Sequence, residues 1–105
     1  MEQLTDENFK EKTAQGVCVV DFSATWCGPC RMMKPIFEQV ADQFKVNPAV
    51  RFYQVDVDQC PRSAMAFRVE SIPMLVVLKD GAEFDARVGV TAPDDLLKLV
   101  SSALA

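Results

Sequence analysis

Two short apolar runs constrain what this chain can fold into more than any other feature of it. Val17-Cys18-Val19-Val20-Asp21-Phe22 and Met74-Leu75-Val76-Val77-Leu78 are short, β-branched and too continuously apolar for strands with one wet face. Runs of this kind sit in the middle of a sheet that is covered on both sides. The cover must come from amphipathic helices, and the chain supplies them. Between Arg31 and Lys45, residues Met33, Ile36, Phe37, Val40, Ala41 and Phe44 recur at helical spacing. Near the C-terminus Leu96, Leu97, Val100, Ala103 and Leu104 do the same. Strand and helix patterns that alternate in this way define an α/β domain. With 105 residues, half of them hydrophobic, a single domain over 1–105 is expected, with a core that needs no disulfide staples.

The remaining elements follow from local signals. Thr5 has the character of an N-cap, and Leu4 and Phe9 have the spacing of a hydrophobic staple, so a first helix should end near Gly16. Val50 to Val57 reads as a strand. Asp58 can cap a short helix over about Cys60 to Arg68. Asp80-Gly81 stands between Met74–Lys79 and the alternating Ala82, Phe84, Ala86 and Val88, which predicts a two-residue hairpin. Thr91, with Asp94 three residues on, should cap the last helix. Pro35 should kink the long one. The expected sheet is mixed, parallel early and antiparallel in the late hairpin.

Composition closes off several functions. The chain has no histidine, so a Cys–His protease is excluded, and zinc loses its commonest nitrogen ligand. The net charge of −4 speaks against nucleic acid and anionic membranes. No stretch reaches the roughly 20 apolar residues of a membrane span. The polar, acidic start Met1-Glu2-Gln3-Leu4-Thr5-Asp6-Glu7 is unlike a signal peptide, so a cytoplasmic location is expected. In that reducing compartment four cysteines are free, metal-bound or catalytic rather than structural bridges.

Trp26-Cys27-Gly28-Pro29-Cys30 lies between the first buried strand and the long helix. Residues three apart on a helical turn are neighbours about 5–6 Å apart, within the separation a disulfide tolerates. The unpaired N–H groups and dipole of a helix N-terminus favour negative charge. Cys27, the first to meet them, should have the lowered thiol pKa and act as nucleophile. Cys30, a turn deeper, is expected to be the resolving thiol. Pro29 suits the first turn, where its missing N–H costs nothing. A zinc site would need a second ligand pair, and neither Cys18 nor Cys60 has metal-ligand spacing. No metal is expected. Cys18 and Cys60 read as small buried hydrophobes, with Cys60 the one that exposure could make regulatory. Asp21 interrupts a buried strand, where a charge is costly unless paired or neutralised.

The stretch from Val20 to Pro35 resembles the active-site signature of the thioredoxin family. The likeness continues through Val55-Asp56-Val57-Asp58, Ser71-Ile72-Pro73, Lys79-Asp80-Gly81 and Val88-Gly89. It implies the thioredoxin fold, a central mixed sheet flanked by four helices. It also implies reduction of protein disulfides through a reversible Cys27–Cys30 disulfide, with no bound cofactor. Electrons would come indirectly from NADPH through thioredoxin reductase. Typical recipients are peroxiredoxins, methionine sulfoxide reductases and ribonucleotide reductase, and a monomer is expected. Asp21 would be a buried acid of raised pKa that accepts the Cys30 proton. Ile72-Pro73 would be a cis bond beside the disulfide. Trp26, Gly28, Pro29, Ile72, Pro73, Gly89 and Val90 would form the substrate-docking face. Ser23 is shared with animal-type members, Met74 stands where many members have threonine, and Gln54 stands where bacterial members often have lysine. The alternatives are an isomerase or oxidant on the same fold, and a non-catalytic thioredoxin-fold binding subunit. Gly28 and Pro29 place no charge between the cysteines, which favours a reductant.

Overall fold

The computed structural model describes all 105 residues. The elements run β1 (Glu2–Gln3), α1 (Phe9–Lys12), β2 (Val17–Ser23), α2 (Gly28–Gln43), β3 (Val50–Asp56), α3 (Pro61–Ala66), β4 (Met74–Lys79), β5 (Ala82–Val88) and α4 (Pro93–Leu104). The strands form one sheet in the order β1-β3-β2-β4-β5. The β1–β3 and β3–β2 pairings are parallel, and the β2–β4 and β4–β5 pairings are antiparallel. The two apolar runs are therefore the adjacent inner strands β2 and β4, as their composition requires. Helices α2 and α4 cover one face, where Met33, Phe37, Leu96 and Val100 pack on Val17, Val19, Leu75 and Val77. Phe9 of α1 and Cys60, at the start of α3, pack on the other face against Cys18, Val20, Phe22 and Val76. The mixed sheet and its four flanking helices are those expected from the sequence.

Several local expectations need correction. Thr5 caps the turn that leads into α1, not the regular helix itself. It forms a reciprocal pair with Asn8, whose Oδ1 accepts the Thr5 N–H (2.8 Å) while Thr5 Oγ1 accepts the Asn8 N–H (3.1 Å). The α-helix proper starts one turn later, although Leu4 and Phe9 share a core cluster as the staple demands. Asp58 does not cap α3. The first-turn N–H groups of Arg62 and Ser63 donate instead to Asp6, a cap supplied from far away in the chain. Helix α2 runs through Pro35, whose nitrogen has no N–H to donate to the preceding turn. Helix α4 begins with Ala92 as N-cap rather than Thr91, and its buried stripe includes Leu99. Phe84 and Val88 are exposed. A bulge opposite Val77 and Leu78 shifts the register of edge strand β5, so its alternation does not track burial. The hairpin is as expected: Asp80 and Gly81 both have positive φ, +50° and +86°, as a type I′ turn requires.

Candidate active site

Cys27 is the N-cap of α2. Its backbone is extended, and its Sγ accepts the N–H of Cys30 at 3.2 Å. A sulfur thus fills the place that serine or aspartate usually takes at a helix start, against an N–H that has no partner within the helix. Cys30 lies one turn on, with 5.3 Å between the two Cα atoms, and the two sulfurs are joined as a disulfide. The helix geometry alone brings them together. The other two cysteines are free. Cys18 is buried between the sheet and the α1–β2 loop. Cys60, 3% exposed, donates its S–H to the Leu4 carbonyl at 3.3 Å. Burial raises both thiol pKa values. Neither meets the conditions for a reactive thiol, which corrects the expectation that Cys60 could be exposed enough for regulation.

Asp21 is 1% exposed, and its Oδ1 has no hydrogen-bond partner. Desolvation pushes its pKa up to about 6, against a smaller opposing pull from hydrogen bonding with the Gln54 side chain. Gln54 is its register partner on β3. Asp21 and Cys30 line one open cleft of about 430 Å³ together with Gln54, Arg31 and Lys34. The buried acid and the deeper cysteine therefore share a path to solvent.

The residues expected at a docking face surround the disulfide. Trp26 is 65% exposed and Val90 44%. Trp26 is anchored by its indole N–H, which donates to Asp58 Oδ2 at 2.8 Å. Gly28 and Pro29 are exposed, Ile72 and Gly89 are half-buried, and Pro73 is buried. Ile72-Pro73 is cis, and the Ile72 carbonyl oxygen lies 3.8 Å from Cys27 Sγ. Gly89 has φ +92° and donates its N–H to the Pro73 carbonyl at 2.8 Å, which holds these two loops side by side. The Thr91 N–H donates to Met33 Sδ at 3.3 Å, so α2 also holds the segment that carries Val90. Sequence reasoning passed over Asp58 and Met33 in these roles. Each acts through a partner more than thirty residues away, so no local pattern marks it. No group of three or more potential ligands could hold a metal, and no helix is long and apolar enough to cross a membrane.

A three-layer fold with a Cys-Gly-Pro-Cys pair starting a helix, a buried acid behind it and a cis-proline beside it defines a dithiol–disulfide oxidoreductase. The comparisons agree. The thioredoxin family model matches residues 1–102. A thioredoxin of Chlamydia trachomatis is 42% identical over 98 residues, 93% of either chain. One of Staphylococcus saprophyticus is 39% identical over 102 residues, 97% of this chain and 96% of its own. The crystal structure of a Malassezia sympodialis thioredoxin superposes with a TM-score of 0.84 at 36% identity, covering 96% of this chain and 89% of that one. The chain belongs to the thioredoxin family. It is a protein-disulfide reductase whose redox group is its own Cys27–Cys30 disulfide, and its partners are a reductase and disulfide-bearing proteins.

Proposed function

We propose that Cys27 is the attacking thiol, Cys30 the resolving thiol and Asp21 the proton acceptor of one reductive cycle. The Cys27 thiolate attacks a substrate disulfide. That S–S bond breaks, the leaving thiolate takes a proton, and a mixed disulfide joins Cys27 to the substrate. Cys30 passes its proton to the Asp21 carboxylate and attacks Cys27 Sγ. The second substrate thiolate leaves and is protonated, and two electrons have passed to the substrate. Thioredoxin reductase then restores the dithiol with electrons from NADPH. Residues 1–105 act as one domain, as a monomer, in the cytoplasm, on recipients such as peroxiredoxins, methionine sulfoxide reductases and ribonucleotide reductase. Substrates dock as extended segments over Trp26, Gly28, Pro29, Ile72, Pro73, Gly89 and Val90.

The observation that carries this reading is Cys27 as the N-cap of α2. Negative charge on its sulfur meets the Cys30 N–H and the positive end of a sixteen-residue helix. Cys30 has no such site and lines the same cleft as Asp21. The test is NADPH-dependent insulin reduction with added thioredoxin reductase. Cys27→Ser should abolish turnover, and Cys30→Ser should stall as a covalent adduct carried on Cys27. Adducts formed through Cys30 in a Cys27→Ser protein, with none in Cys30→Ser, would reverse the assignment.

A further inference from the structure

Gln3, Gln54 and Asp21 occupy one rung of the sheet. Gln3 is the register partner of Gln54 across β1 and β3, and Gln54 is the register partner of Asp21 across β3 and β2. Register partners project from the same face, so three polar side chains run in line from the sheet edge to the buried acid. The next residue on the rung is Leu75 of β4, and the polar line ends there. Gln3 Nε2 donates to Gln54 Oε1 at 3.2 Å. An amide whose oxygen is engaged on one side has only its NH₂ to offer on the other. Gln54 is largely buried and lines the cleft beside Asp21, and the bond from Gln3 fixes which way its amide faces.

We propose that Gln3 and Gln54 form an amide relay that turns the Gln54 NH₂ toward the Asp21 carboxylate, so that the edge strand β1 tunes the proton acceptor of the reaction. Gln3 is then a positioning residue that touches neither cysteine nor acid. The relay favours the ionised acid with neutral donors alone. A bond donated to Gln54 Oε1 polarises the amide and strengthens the bond that its NH₂ donates. The charged groups that face the cleft are Arg31 and Lys34 from α2 and Asp56 from β3, with Cys30 beside them. Helix α4 contributes none of the residues that line the cleft. None of these groups changes in the variants below, so their effect on Asp21 is constant.

The test is the Asp21 carboxyl titration, followed by NMR in the oxidised protein, where neither active-site cysteine ionises. Gln54→Met should raise the midpoint by about one unit, a tenfold change in ionisation. Gln3→Met should raise it by a smaller step, roughly two- to threefold. The double variant should match Gln54→Met alone, because Gln3 acts only through Gln54. Gln3→Asn, polar but too short to reach, should behave as Gln3→Met. An unmoved midpoint in both Gln3 variants overturns the relay. So does a Gln3→Met shift that persists undiminished in the Gln54→Met background. The mechanistic value of the relay rests on Asp21 as acceptor. Its pH–rate profile should move with the titration. If Asp21→Asn leaves that profile unchanged, the acceptor role fails while the titration still decides the relay.

Discussion

Removing the charge of Asp21 should stabilise the protein, and the gain should depend on pH in a defined way. The carboxyl has a reference pKa of 3.8 and a folded value of about 6. Between these values the folded state holds a proton that the unfolded chain has released. Stability therefore falls as pH rises through that window and is level above it. The gap of roughly 2 units corresponds to about 3 kcal/mol at neutral pH, with no discount for solvent screening at a site this buried. The perturbation is Asp21→Asn, and the assay is urea unfolding of both oxidised proteins from pH 3.5 to 8. All other carboxylates cancel in the difference between them. The variant's advantage should grow by about 1.4 kcal/mol per pH unit between 4 and 6, then hold constant. At a urea slope of roughly 2 kcal/mol/M the midpoint difference near pH 7 exceeds that near pH 4 by about 1.2 M. A difference that does not vary with pH would show that Asp21 titrates alike in both states, and the desolvation argument would be wrong.

Three further outcomes follow from the site. Met33→Leu keeps the volume but strands the buried Thr91 N–H; it should lose about 1 kcal/mol in urea unfolding and raise KM for protein disulfides more than it lowers kcat. Gly89→Ala should cost about 1–2 kcal/mol through its positive φ alone, while Gly28→Ala, with open space and ordinary φ, should stay within about 0.5 kcal/mol of wild type; equal losses at the two positions would refute the backbone argument. Oxidised wild type and Cys60→Ser should run identically on non-reducing gels, because Cys60 is buried and bonded to Leu4; a dimer that needs Cys60 would show that it opens.

The parts of this molecule that a local pattern can encode were legible in the sequence. Val17–Phe22 and Met74–Leu78 advertise inner strands because every side chain is buried. Asp80-Gly81 advertises its turn because two positive φ values need those residue types. The placement of Cys27 and Cys30 at a helix start, close enough to pair, could be read from their spacing. What escaped is non-local. Strand β1 is two residues long, with no period to detect. Asp58 resembles a helix cap in sequence but is engaged by Trp26, while the cap of α3 comes from Asp6. Phe84 fits an alternating strand, but a bulge turns it outward. In each case the partner that decides the outcome lies on another element.

The N-terminal segment carries a consequence for the order of events during synthesis. Glu2 and Gln3 pair with Tyr53 and Gln54, Leu4 accepts from Cys60, and Asp6 holds Arg62 and Ser63. Every one of these partners is made some fifty residues later. While the chain is being translated, residues 2–6 have none of these partners to bind. They must wait until β3 and the start of α3 have left the ribosome, and closing such a long loop is slow. These residues are thus made well before the partners that hold them, and the rung that reaches Asp21 is completed only when both are in place.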